Sequence, residues 1–131
     1  MMPKPATATR FTGTYPGRPD KVQDARRAVA RHLAGCPALD DAVLITSELA
    51  SNAVLHSASR GEFFTVRAEL HADYVWVETE DLGGPWRSRG DDRPHGLDVV
   101  EALTGPDGWG TEPTSDGGRV VWARLDLPAG E

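Results

Sequence analysis

The chain reads as an α+β domain: a two-layer sandwich with helices on one face of a mixed, mostly antiparallel sheet. Three observations lead there. Two segments in the first half carry apolar residues at helical spacing. Past residue 62 the period changes to two, which is the period of a strand with one buried face. The sum is two main helices, one short helix and about five strands, the inventory of an α+β sandwich.

Taken in order, residues 1–7 form a loose tail and residues 8–128 a single domain, the size expected for 131 residues with an ordinary apolar content. A short strand is expected over 8–15, followed by a turn at Pro16 and Gly17. Asp20 is placed to cap a helix in which Val22, Ala25, Val29 and Leu33 share one face, and Gly35 with Pro37 ends it. Asp20 and Asp24 are the expected partners of Arg26, Arg27 and Arg31 on its polar face. A second helix is expected over 39–57. In 62–70, Phe64, Val66, Ala68 and Leu70 alternate with Phe63, Thr65, Arg67 and Glu69, and a second strand follows over 74–81. Its alternation puts Thr79 and Asp81 on the side of Val75 and Val77. A carboxylate in that phase needs a hydrogen-bonding partner. Residues 82–95 are irregular, rich in Gly, Pro, Arg and Asp, and a short helix is expected over 97–103. Trp109 and Gly110 open another strand, Gly117 and Gly118 make a hairpin turn, and 119–127 alternates with Val121, Ala123, Leu125 and Leu127 inward. That phase leaves Trp76 and Trp122 on the face away from the core, a candidate partner surface.

Composition excludes several classes of function. The net charge of −6 lacks the basic footprint of a nucleic-acid binder. No apolar run approaches the roughly 18 residues of a membrane helix. The start, MMPKPATATR, has no apolar signal core, so a cytoplasmic protein is expected. Cys36 is the sole cysteine, which excludes an internal disulfide or a cysteine-based zinc cluster.

The segment ITSELASNAVLHS, residues 45–57, sets Glu48 and Asn52 four residues apart on one helix face, beside a stripe of Ala42, Ile45, Leu49 and Ala53. A carboxylate there can accept a proton or orient a hydroxyl, and an amide oxygen can ligate a hard cation such as Mg²⁺. Downstream, Asp81 at a strand end can accept a hydrogen bond from an adenine amine, and the glycines after it admit close backbone approach. Gly96 and Leu97 open a helix whose N-terminal N–H groups suit phosphate. The irregular segment between them can close as a lid. Of its arginines, Arg87, Arg89 and Arg93, at most one is assigned to phosphate, Arg93, with solvated side chains as the plain alternative.

Four boxes in this order resemble the gyrase/histidine-kinase-like ATPase superfamily, the Bergerat fold, and within it the small anti-sigma-factor serine kinases. SELASNAVLHS resembles the N-box, EDLGGPW the first glycine box and HGLDVVEAL the second, and the WG…GGRVVWARL ending resembles the terminal strands. The resemblance implies ATP and Mg²⁺ as cofactors. It makes Glu48 the catalytic or water-orienting acid and Asn52 the Mg²⁺ ligand at the nucleotide. Asp81, Gly83 and Gly84 would hold adenine, Gly96 and Leu97 would approach the phosphates, and the lid would span roughly 86–95. It further implies protein partners, a sigma factor and/or an anti-anti-sigma factor carrying the substrate serine, with a homodimer by family analogy alone.

The chain departs from the family pattern in three places. Gly83, Gly84 and Pro85 are adjacent where the glycines are usually spaced, Pro94 and His95 stand before Gly96 where a Gly-x-Gly usually opens, and Arg119 and Val120 stand where many relatives carry a threonine. Loss of that hydroxyl removes a polar partner near adenine worth about 1 kcal/mol. The departures keep a second reading open, a partner-sequestering module without phosphotransfer, with or without nucleotide. A detached histidine-kinase catalytic domain is the third, but neither dimerisation helices nor a phosphoacceptor-helix pattern surrounds any of the four histidines.

Overall fold

The computed structural model describes residues 9–55, 62–83 and 97–128. In chain order the elements are β1 (Thr9–Pro16), α1 (Pro19–His32), α2 (Leu39–Leu55), β2 (Phe63–Leu70), β3 (Tyr74–Asp81), α3 (Leu97–Thr104), β4 (Trp109–Pro113) and β5 (Arg119–Asp126). The alternation that marks each strand also sets its buried face, because successive side chains leave a strand on opposite sides. β2 buries Phe64, Val66 and Ala68, β3 buries Val75, Val77, Thr79 and Asp81, and β5 buries Val121, Ala123 and Leu125.

The strands lie in the order β1-β2-β3-β5-β4. The sheet expected as mixed and mostly antiparallel is antiparallel at every described pairing. Two of the four pairings are hairpins. β2 turns directly into β3, and after α3 the chain enters at the edge as β4 and turns back as β5 beside β3. In the turn at 114–118, Gly117 takes a left-handed φ of 87° and Thr114 N–H donates to the Gly118 carbonyl at 3.0 Å.

All three helices among the described residues cover one face. α2 packs on β2, β3 and β5 and is flanked by α1 and α3. Its buried positions, Ala42, Ile45, Thr46, Leu49, Ala50, Asn52, Ala53 and Val54, occupy more than one helical stripe because neighbours enclose it on several sides. Small alanines at 42, 50 and 53 let the layers approach, and Val22, Ala25 and Val29 of α1 complete the core.

The start of α1 differs from the sequence expectation. Arg18 is the extended N-cap residue (φ −124°, ψ 146°), no side chain caps the helix, and Pro19 begins it. A proline at that position brings a preset φ and lacks an N–H that would have no partner anyway. Asp20 lies within the first turn and pairs with Arg18 at 3.3 Å, while Asp24 pairs with Lys21 at 3.3 Å. Neither acid pairs with an α1 arginine; Arg26 instead donates to the Gln23 amide oxygen at 3.2 Å.

The other sheet face carries side chains and no helix of the described residues. Arg67 joins Glu78 and Glu80 at 2.8 Å each, across β2 and β3. Trp76 and Trp122, neighbours on β3 and β5, stack with ring centroids 4.8 Å apart and planes 8° from parallel. Gly110 on β4 lies opposite Trp122, and a Cβ there would meet the indole at 2.8 Å, so the glycine seats the ring.

The register makes a sharp prediction for two adjacent phenylalanines. Phe64 is 1% exposed and Phe63 is 59% exposed. Phe64→Ala is expected to lower stability by about 3–5 kcal/mol, and Phe63→Ala by less than about 0.5 kcal/mol, both read from urea unfolding. Equal losses would place the register wrongly.

Candidate functional site

The site is built where the C-terminal half of α2 meets the end of β3. Glu48 and Asn52 sit one turn apart on α2, as the spacing requires. Glu48 is half-buried, whereas Asn52 is only 3% exposed. The Asn52 Nδ2 is buried with no hydrogen-bond partner among the described residues, and so is the Thr79 hydroxyl on β3. A buried polar atom without a partner costs about 1–3 kcal/mol. Two of them on elements that pack together single this layer out from the rest of the core.

Two residues beyond Thr79 on the same face comes Asp81. Its Oδ1 accepts a hydrogen bond from the Gly83 N–H at 2.7 Å and lies 3.8 Å from Arg119 Nε. Burial pushes the Asp81 carboxyl above the ordinary aspartate range; the Gly83 N–H and the Arg119 guanidinium pull it back, and Glu80 adds to the rise. Gly83 has φ 78°, and a Cβ on it would lie 2.5 Å from the Gly117 carbonyl oxygen. Backbone therefore meets backbone here, a contact that only glycine allows. Beside it opens a cleft of about 270 Å³ lined by Gly83, Thr111, Glu112, Pro113, Gly117, Gly118 and Arg119.

At the start of α3, Leu97 is buried in the core, so its side chain contacts no ligand and only its backbone N–H is available to one. Of the site residues read from the sequence, Glu48 and Asn52 lie on α2, Asp81 ends β3 with Gly83 two residues past it, and Leu97 begins α3; α2 packs against both β3 and α3. Gly84, Arg93 and Gly96 lie outside the described residues, as do Arg87, Arg89, His56, His95 and the 86–95 lid. Sequence reasoning missed two members. The alternation signalled that Thr79 faces inward, but a lone threonine in a strand carries no functional signature. Arg119 registered only as a missing threonine, because its pairing with Asp81 is a matter of strand register.

The donor set suits a nucleotide with its metal. An inward carboxylate with one oxygen outside the Gly83 and Arg119 contacts can take an amine. The Asn52 amide has unspent hydrogen-bonding capacity and an oxygen fit for a hard cation. Among the described residues no group of three or more His, Cys, Asp or Glu could hold a metal. No described helix is long and apolar enough to cross a membrane.

No family model and no curated protein matches the chain. Among solved structures it is similar to the crystal structure of the RsbU and RsbW domains of Rv1364c from Mycobacterium tuberculosis, with a TM-score of 0.69 and 21% identity. The match covers 90% of this chain and 32% of that one, so this chain spans about a third of that protein's length. The likeness shows a shared fold, an α+β sandwich with three helices on an open five-stranded antiparallel sheet.

Gly83 and Gly35 both have positive φ, but a Cβ on Gly35 meets nothing within 4 Å. Gly35→Ala is expected to lose only the about 1–2 kcal/mol of a left-handed alanine. Gly83→Ala should lose more, since it also forces the 81–83 and 117–118 backbones apart. Thermal unfolding of both variants measures the difference, and equal losses would remove the close approach.

Proposed function

We propose that this chain binds ATP with Mg²⁺ and acts as a serine/threonine kinase on a small protein partner in sigma-factor control. The observation that carries the reading is the inward Asp81 carboxylate, held at a strand end by the Gly83 N–H and backed by a glycine-only contact. It stands on the strand that packs against the helix bearing Glu48 and Asn52. The four sequence boxes support the kinase class, and the fold shared with a structure of RsbU and RsbW domains supports the setting.

In this reading Asp81 accepts a hydrogen bond from the adenine amine, and the Gly83 backbone lets the base lie close. Asn52 holds Mg²⁺ through its amide oxygen; when bound, the ion neutralises charge on the phosphates. Glu48, half-buried one turn away, orients the hydroxyl of a partner serine or takes its proton. The Leu97 N–H at the start of α3 is a donor for phosphate. Catalysis of this kind is mostly positioning, so docking of the partner completes the site. The partners are an anti-anti-sigma factor as substrate and a sigma factor as the competing ligand, with the chain acting as a homodimer.

Calorimetric titration with ATP, with and without Mg²⁺, tests the nucleotide. Binding should depend on Mg²⁺ and weaken about tenfold or more in Asp81→Asn, the loss of a hydrogen bond to a charged group. Glu48→Ala should keep binding and lose transfer to a purified partner. Absence of binding at millimolar ATP overturns the reading and leaves a partner-sequestering module on this fold.

A further inference from the structure

Arg119 is unusual for its position. In the β3–β5 ladder it lies directly opposite Asp81, so both side chains project from the helix-covered face of the sheet. Its side chain is 16% exposed and that of Asp81 is 2% exposed. A guanidinium so placed carries a desolvation penalty, visible as a depression of Arg119 that the Asp81 charge partly reverses. A neutral side chain at 119 would avoid that penalty, so the arginine needs a reason to be there.

We propose that Arg119 is a positioning residue for the base-reading carboxylate: with the Gly83 N–H it anchors Oδ1 of Asp81 and holds the group as an oriented anion, leaving Oδ2 to accept from a ligand amine. The assignment rests on the nucleotide reading above. Both observed contacts fall on one oxygen, the Gly83 N–H at 2.7 Å and Arg119 Nε at 3.8 Å. The second contact is longer than a hydrogen bond and acts through charge. A carboxylate this deeply buried with no counter-charge takes up a proton. Protonated, Asp81 becomes a donor as well as an acceptor, and its fit to an amine falls. Among the described residues, the other ionisable groups lining the clefts at the pair are acidic: Glu80 on the same strand, and Glu112 and Asp116 on the β4–β5 hairpin. Glu80 is already engaged by Arg67. None of these can supply the positive charge, and in their company the removal of Arg119 leaves Asp81 among like charges.

The sign of the pH dependence follows. Removing Arg119 moves the Asp81 titration upward, so the loss of ligand affinity is greatest at pH values between the wild-type and variant titrations and shrinks as the pH rises past the variant's. In the ligand-free variant, the ionised carboxylate is the destabilised form. Any added instability from Asp81 is therefore full at high pH and disappears below its titration.

The test follows the Asp81 carboxyl carbon by NMR through a pH titration of ligand-free wild type, Arg119→Met, Arg119→Gln and Arg119→Lys, with ATP affinity measured between the wild-type and variant titrations and again above both. Arg119→Gln keeps a polar side chain without charge and stands in if Arg119→Met fails to fold. Asp81 is expected to titrate about one pH unit or more higher in the Met and Gln variants, the effect of losing a cation a few ångströms away. Their ATP binding should weaken more between the two titrations than above both, while Arg119→Lys follows wild type in both measurements. An unmoved Asp81 titration overturns the proposal whatever happens to ATP. A moved titration with pH-independent affinity overturns the link to the ligand. Wild type that binds no ATP overturns the nucleotide reading instead, and the titration by itself then decides whether Arg119 holds Asp81.

Discussion

The packing of α2 on β3 is the contact on which the rest of the molecule depends. It joins the helix layer to the middle of the sheet, and α1, α3, β2 and β5 all gather around it. Toward the first half of α2 the layer is apolar, with Ala42, Ile45 and Leu49 packed in the core formed by Val75 and Val77. Toward its other end buried polar groups stand among apolar ones, with Asn52 beside Ala53 and Val54 on the helix and Thr79 and Asp81 on the strand. A core made only for stability would not hold a carboxylate, an amide and a hydroxyl in that space. Each carries a penalty that apolar residues of similar size would avoid.

The sheet serves that interface in two ways. Its antiparallel order puts β5 beside β3, which brings Arg119 opposite Asp81 and the Gly117 carbonyl against Gly83. Its other face carries no described helix and is stiffened by contacts across strands. Arg67 ties β2 to β3, the Trp76–Trp122 stack ties β3 to β5, and Arg124 lies 4.0 Å over the Tyr74 ring. Part-exposed ion pairs of this kind are worth little singly, about 0–1 kcal/mol. Their value lies in fixing strand register, on which the pairing of residues 81 and 119 depends.

Much of the fold could be read from the chain because it is periodic. The alternation of Phe64, Val66 and Ala68, of Val75 and Val77, and of Val121, Ala123 and Leu125 gave both the strands and their inward faces. Helix α2 was legible from its apolar spacing and its Glu48/Asn52 pair. Helix α1 was legible in extent but not in its start. Asp20 fits a capping preference, yet Pro19 already begins the helix and Arg18 takes the carboxylate. Preference at one position lost to the backbone constraint of its neighbour.

Sequence by itself determined what is local: the strands and helices, the inward phase of Asp81, the facing of Glu48 and Asn52, and the glycine at 83. Those follow from periods of 2 and 3.6 and from the steric freedom of glycine, which act over a few residues. Tertiary structure decided everything that needs two distant segments in one place. The depth of Asn52 depends on what covers α2, the burial of its amide and of the Thr79 hydroxyl depends on helix packing, and the partner of Asp81 depends on register with a strand 38 positions later, from 81 to 119. Such contacts are set by long-range packing and charge, for which no local pattern exists.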